Sequence, residues 1–387
     1  MRIRSVEATW LRAELPAAQQ HVSDFGRIAT FDAVVVQVRT ECGLTGLGEA
    51  KPAVGSAGNG AALAAIVREE LAPVLVGQDP RQVNQLWGRM YNGVRAGLAA
   101  HDGRAMPILG RRGTHMAAIA GVDLALWDVA ARARNCSVLE LVGGATRDRV
   151  KAYASGGWAP ADRIGEQLSG YVAQGFRAVK MRIGGMDGAV RASIERVRAA
   201  RAALGDDVDI MVDAHGTLGV AGARQFCAAT HELGLRFVEE PVASDDRVGL
   251  AEVRSAAMAP IAAGESEASC FDFAELVERR AVDVLQPDLA IAGGLSEGLR
   301  IGAIATAHRL QLAPHCWGSA LSFEAARTLA LASPAGVFVE VPMGGAPLLR
   351  DLFQPDLALA DGTVGPARGP GWGLTMDEDL FARWARS

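Results

Sequence analysis

Seven apolar runs in the second half of this chain each carry charged or imidazole side chains at their C-terminal ends: residues 176–182, 208–215, 235–241, 260–266, 282–288, 310–315 and 336–340. Asp213, Glu239 and Glu265 stand 26 residues apart, and Asp288, His315 and Glu340 follow at steps of 23, 27 and 25. One strand, one helix and two short loops take about that length. Each polar residue therefore holds the same place in a repeating βα unit. In a parallel barrel that place is the C-terminal rim, where active sites are built. Carboxylates converging there need a cation, because like charges so close cannot all stay ionised alone.

Length and composition narrow the class. The 387 residues are too many for one small core and suit a barrel plus a second domain. A net charge of −5, with 50% hydrophobic and 21% charged residues, gives no footprint for a nucleic-acid partner. No apolar run reaches the roughly 18 residues that span a bilayer, so no membrane partner is expected. The first ten residues alternate like a strand and lack the apolar core of a signal peptide. Five scattered cysteines form no CxxC pair, which argues against a disulfide framework and a zinc knuckle. A reducing cytoplasm is the expected compartment.

The first part of the chain differs in kind. Residues 3–11 and 33–39 read as strands, 21–31 as a polar, aromatic loop, and 43–50 (GLTGLGEA) as a turn with a returning strand. Helical spacing covers about 60–75, 81–86 and, most strongly, 114–134. From Arg149 strand and helix alternate, which predicts parallel βα units. An extra first strand at 150–154 brings the strands to eight. The expectation is an α+β capping domain over 1–135 and a TIM-like barrel over 136–344, in modified (β/α)7β form. The irregular segment 345–387 is expected to pack back on the cap.

Each candidate residue has a bland reading. A single acid after a strand is often a helix cap, but three in register are not. Asp213, Glu239 and Glu265 suit Mg²⁺, which takes a few carboxylates and leaves room for substrate oxygen. His215, two residues after Asp213, keeps manganese or zinc open as the metal. Of Glu239 and Glu240, alternation lets one face the metal, and Glu239 is the choice. Lys180 and Arg182 share a strand face and would bind a substrate carboxylate. Lys180 is expected to have a depressed pKa beside arginine and metal, fitting it for proton transfer. Asp288 and His315 end neighbouring strands, so the carboxylate would fix the imidazole tautomer. The glycine pairs 184–185, 293–294 and 344–345 are weak phosphate-loop signals, more often plain turns.

The motifs GLTGLGEA, AGVDLALWD, VKMRIG, VDAH, VEEP, GES, QPD, PHCWG and GPGWG run along nearly the whole chain. With them the sequence resembles the mandelate racemase subgroup of the enolase superfamily. That resemblance implies Mg²⁺ (or Mn²⁺) on Asp213, Glu239 and Glu265, and an Asp288–His315 dyad on one face of the substrate. It also implies a lysine motif on the other face, Glu340 hydrogen-bonded to the substrate carboxylate, and a homo-oligomer, dimer or octamer. His21 in the N-terminal loop, and Trp317, would help bind the substrate. Two positions depart from the subgroup's racemases: Arg182 replaces the second lysine of Lys-x-Lys, and His215 stands where asparagine is common. The resemblance implies removal of a proton α to a carboxylate. Arginine is a poor base, so a dehydratase of a sugar acid, aldonate or aldarate, is favoured, with Lys180, His215 and His315 as its acid–base groups. A racemase or epimerase is the alternative, and a non-catalytic metal- and carboxylate-binding barrel the second.

Overall fold

The computed structural model describes residues 1–23, 26–52, 60–97 and 106–386. Strand β1 (Ile3–Glu14) leads through a hairpin of β2 (His21–Ser23) and β3 (Gly26–Ile28) to β4 (Thr30–Thr40) and β5 (Thr45–Ala50). β1, β4 and β5 form an antiparallel sheet in that order. The stretch 21–31 is thus not a loop but a hairpin plus the start of β4; Asp24 and Phe25 lie outside the described residues. Gly26, the first residue of β3 and the partner of Ser23, has a φ of +87°.

The run 33–39 is apolar without a break because both its faces are buried. Ala33 and Val35 enter the core shared with the barrel, while Val34, Val36 and Val38 enter a second core under helix Thr114–Arg132. That helix meets β5 backbone to backbone. A Cβ on Gly46 would lie 2.2 Å from Ala125 O, and one on Gly48 2.1 Å from Gly121 O, so glycine sets the spacing. The helical stretch at 60–75 contains a π turn, Val67–Leu71. The next helix, Val83–Asn92, runs past its expected end because Trp87, Met90 and Tyr91 continue the buried face.

Eight parallel strands follow: β6 (Val150–Gly156), β7 (Ala178–Arg182), β8 (Asp209–Asp213), β9 (Val238–Glu239), β10 (Ile261–Ala263), β11 (Val284–Leu285), β12 (Gln311–Leu312) and β13 (Phe338–Pro342). They pair in chain order, and β13 returns to β6. A parallel bridge between Leu312 and Gly336 closes the last seam. After β13 the described residues hold two short helices, Pro347–Arg350 and Glu378–Trp384, and neither leads to a further barrel strand, so the barrel is of the (β/α)7β type. One residue from each strand or its edge forms an apolar plug: Tyr153, Ala178, Met211, Phe237, Ala262, Val284, Ala313 and Phe338. Two residues further, on the same face of each strand, stand Ser155, Lys180, Asp213, Glu239, Gly264, Gln286, His315 and Glu340. The plug is the dry floor, and the next layer is the polar floor of the site.

Beyond the barrel, β14 (Phe353–Gln354) pairs with β16 (Thr375–Met376), and β15 (Thr363–Val364) pairs with β6. β17 (Ala385–Arg386) adds to β1, with Trp10 opposite Arg386. Asp128 accepts from Leu47 N and Trp372 N at 2.8 Å each, joining cap and tail. Among the described residues no helix is long and apolar enough to cross a membrane.

A second buried carboxylate sits at the seam between cap and barrel. Asp123 accepts from Ser296 N at 3.0 Å and Ser296 Oγ at 2.6 Å. Burial, against these bonds, raises its pKa to about 7. A carboxyl raised on folding contributes stability that is complete below its unfolded pKa of about 4 and lost as pH rises through 7. Asp123→Asn should therefore be less destabilised than wild type as pH rises across that window. Urea unfolding at pH 5 and pH 7.5 measures the difference. Equal pH slopes in the two proteins would rule it out.

Candidate active site

Lys180 lies at the centre of the polar layer, 2% exposed. Its Nζ is 2.7 and 2.8 Å from the two oxygens of Glu239, 2.9 Å from Glu340 Oε1 and 3.5 Å from Asp213 Oδ2. Burial opposes its charge, but Glu239 and Glu340 outweigh it and set its pKa well above the usual lysine value. The sequence expectation was a depressed pKa. It is reversed here because carboxylates from three other strands, not Arg182, are the ammonium's nearest neighbours. Arg182 reaches over the same layer to Asp213. Burial disfavours the Asp213 charge, yet Arg182, His215 and Lys180 hold its pKa below the usual carboxylate range.

His215 and Glu240 break the strand geometry. Their φ values are +44° and +38°, a left-handed conformation that costs roughly 1–3 kcal/mol each for a non-glycine residue. The backbone N–H of His215 donates to Asp213 Oδ1 at 2.9 Å, and Gly216 N donates to Glu240 O at 2.7 Å. The turn aims His215 Nε2 back at the layer, 3.6 Å from Asp213 and 3.8 Å from Glu265 Oε1. Glu240 does not take the outward side that strand alternation implies. The chain leaves β9 at Glu239, and Glu240 is buried beside Ser244 Oγ at 3.3 Å. Burial, then Glu265 and Asp213, push its pKa well up.

On the opposite side, His315 Nδ1 is 2.8 Å from Asp288 Oδ2. Its Nε2 faces Glu265 Oε2 at 3.3 Å and Glu340 Oε2 at 3.8 Å. The two imidazoles, His215 and His315, thus flank the two oxygens of one carboxylate. Burial raises and Lys51 and His315 lower the pKa of Asp288, which settles at about 2. Glu340 accepts from Cys316 N at 2.9 Å and from Trp317 Nε1 at 3.2 Å. Burial opposes its charge too, but Lys180 and His315 bring it to about 2. As an ionised acceptor it must gain a proton before donating to a substrate carboxylate. Trp317 is therefore tied to Glu340 as well as facing the rim.

His21 is half-buried and stacks on Trp158, centroids 4.0 Å apart, which in turn meets the edge of Trp317 at 6.0 Å. Burial lowers the His21 pKa, with Arg182 adding to the effect. Of the glycine pairs, Gly184 N and Gly185 N already donate to Ser193 Oγ and Thr217 Oγ1. Gly293 O accepts from Trp87. Both pairs serve packing.

Sequence reasoning missed four side chains. Gln286 Nε2 donates to Glu239 at 2.7 Å, and Ser155 Oγ accepts from Trp317. Trp158 holds the His21 hairpin against the rim. Lys51, from the cap, places Nζ 3.2 Å from Asp288 Oδ2. For Ser155 and Gln286 the signal existed, since each stands two residues beyond a plug residue. Lys51 follows Glu49 by two residues, on the same face of the chain leaving β5.

Asp213, His215 and Glu265 offer ligand atoms within 4.8 Å of one another. Both oxygens of Glu265 are buried without a hydrogen-bond partner among the described residues. Burial and Asp213 drive the pKa of Glu239 well up despite Lys180, the cost of crowding carboxylates. Five carboxylates, Asp213, Glu239, Glu265, Asp288 and Glu340, face three fixed cations, Lys51, Lys180 and Arg182. The site fits a dication in charge and in donor chemistry.

Comparison with known proteins agrees with this architecture. Residues 163–380 match the enolase C-terminal domain-like family, and residues 6–143 match the mandelate racemase / muconate lactonizing enzyme N-terminal domain. The chain is 36% identical over 367 residues to a D-galactonate dehydratase of Ralstonia nicotianae, covering 91% of each chain. A D-galactonate dehydratase of Verminephrobacter eiseniae is 35% identical over 91% of this chain and 90% of its own. An enolase superfamily member from Polaromonas sp. JS666 superposes with a TM-score of 0.89 at 32% identity, covering 100% and 98%. A racemase from Streptomyces coelicolor A3(2) with bound magnesium gives 0.85 at 27%, covering 99% and 100%. The chain belongs to the mandelate racemase / muconate lactonizing enzyme family of the enolase superfamily, and it is an enzyme.

Proposed function

We propose that this enzyme is a Mg²⁺-dependent hydro-lyase that dehydrates a sugar acid of the D-galactonate kind to its 2-keto-3-deoxy acid. The observation that carries the reading is the pair of imidazoles, His215 and His315, on opposite sides of Glu265. Elimination needs a base for the α-proton and an acid for the departing β-hydroxyl, and two imidazoles supply both. The D-galactonate dehydratase relatives support the substrate class.

Asp213, Glu239 and Glu265 would hold Mg²⁺, with Mn²⁺ as the substitute and His215 adjoining. The ion supplies Lewis-acid stabilisation of the negative charge that builds on the substrate carboxylate when the α-proton leaves. His315 takes that proton at Nε2, because its Nδ1 is committed to Asp288. His215 donates a proton to the β-hydroxyl oxygen as the C–O bond breaks. Water departs, and the enol tautomerises to the 2-keto acid. Arg182 and Lys180, both permanently charged in these surroundings, bind and orient the substrate carboxylate. Lys180 also fixes Glu239 and Glu340. Trp317 and the His21–Trp158 stack exclude water above the reacting carbons. In domain terms, 1–135 caps a barrel of 136–344, and 345–387 straps the two together.

Incubation with Mg²⁺ and D-galactonate, then other aldonates and aldarates, should yield a carbonyl product that forms a semicarbazone. In D₂O the product should carry deuterium at C3. Inversion at C2, with deuterium there and no keto acid formed, would make the enzyme a racemase instead.

A further inference from the structure

The acid–base dyad of the barrel has a third member that comes from the capping domain. Lys51 directly follows β5, and its ammonium sits 3.2 Å from the same Asp288 oxygen that His315 Nδ1 meets at 2.8 Å. We propose that Lys51 is a positioning residue that holds Asp288 in line with His315, so that the dyad is complete only when the cap is docked on the rim.

Three observations argue for a built contact rather than a chance surface pair. First, Asp288 is fully buried and the Lys51 side chain is 13% exposed, so the pair works in a dry setting. Second, the backbone around Lys51 is pinned on both sides of the seam. Lys51 N donates to Ala290 O at 3.1 Å, and Ala290 N donates to Asp288 Oδ1 at 2.8 Å. Two residues earlier, Glu49 accepts from Ser319 N at 2.9 Å and from Ser322 N at 3.3 Å, at the start of helix Ala320–Ala332. Glu49 and Lys51 lie on one face of the strand exit, and both reach the barrel. Third, burial opposes the Lys51 charge, yet Asp288 and Glu265 outweigh it and raise its pKa, so the ammonium persists.

The physical consequence concerns orientation. Asp288 has two oxygens and three donors: Ala290 N on Oδ1, and Lys51 and His315 on Oδ2. Without Lys51, Oδ2 keeps the imidazole alone among the described residues, and the carboxylate loses one of the three contacts that fix its plane. The cap would then act on chemistry through a single charge, at a residue that need not touch the substrate.

This inference rests on the Asp288–His315 dyad proposed above, and the test separates the two. Lys51→Met should lower kcat about 10- to 100-fold, the usual effect of losing a partner behind a reacting group, with KM within about twofold. Lys51→Arg should restore most of the loss, and thermal melting should find both variants folded. Lys51→Gln, which keeps a donor but not the charge, should fall between them and also guards against a misfolded methionine variant. In an Asp288→Asn background, Lys51→Met should lower α-proton exchange in D₂O, followed by NMR at high enzyme concentration, by less than threefold further. Additive losses, or a raised KM with kcat retained, would overturn the inference and make Lys51 a substrate contact. Wild-type kcat in Lys51→Met while His315→Asn is impaired would remove Lys51 and leave the dyad standing. Wild-type kcat in His315→Asn would remove the dyad itself, and this inference with it.

Discussion

His315→Asn should lose at least about 10²-fold in turnover, the lower range for a general acid–base group. Nδ1 is taken by Asp288 at 2.8 Å, so Nε2 is the one nitrogen that can exchange a proton with the substrate. That nitrogen faces the interior of the polar layer, 3.3 Å from Glu265. Asparagine keeps a polar group of similar reach but cannot take up a proton at neutral pH. Binding should be hardly altered, because Arg182 and Lys180 remain. The loss should therefore appear in kcat rather than KM, and exchange of the α-proton into D₂O should fall by a similar factor. Asp288→Asn should also lose turnover, since a carboxamide can donate to Nδ1 and flip the tautomer. Near-native turnover in His315→Asn would show that another group moves the proton.

Much of this was readable from the chain because strand ends in a closed barrel lie at one level. A regular spacing between acids then becomes a group of acids at one end of the barrel, with Asp213 and Glu239 closing β8 and β9; Glu265 lies two residues past the end of β10, so it and Asp288 stand just beyond the layer that equal spacing implies. The same regularity places Gln286 and Ser155 in the layer, two residues past the plug, although neither carries a charge that draws attention. Reading failed where the backbone leaves its regular path. Strand alternation puts Glu239 and Glu240 on opposite sides, but β9 ends at Glu239, and Glu240, itself left-handed, is buried with it. The hairpin at 21–28 was hidden by its length, three residues a strand, too short for a period of two to be visible. Lys51 illustrates a different limit. Its partner is 237 residues away in another domain, and nothing local to GEAK specifies which rim residue it will meet. The Lys180 expectation failed for a related reason. Its charged neighbours come from three other strands, and their balance depends on distances that spacing alone does not give.

Replacing Glu265 by glutamine should stabilise the metal-free protein and destroy its function. Both oxygens of Glu265 are buried with no hydrogen-bond partner among the described residues, and their charge presses on Glu239 and Glu240. A desolvated carboxylate in such company destabilises the fold. The neutral amide removes that repulsion, and its N–H can turn towards His315 Nε2, the nearest imidazole nitrogen. The melting temperature measured in EDTA should therefore rise in Glu265→Gln. Added Mg²⁺ should act in the opposite sense on the two proteins. Wild type gains stability through binding, about 2.7 kcal/mol at a hundredfold excess over Kd, while the variant, with one anionic ligand fewer, should barely respond. Turnover should fall by at least about 10²-fold, since Lewis-acid stabilisation contributes several kcal/mol to this class of reaction. The two signs together are diagnostic. A carboxylate kept only for packing would lower stability when changed and leave the Mg²⁺ response intact. One kept for a metal costs the empty fold energy that the ion returns. A Glu265→Gln protein that melts lower than wild type in EDTA, yet is still stabilised by Mg²⁺, would move the metal site away from this residue.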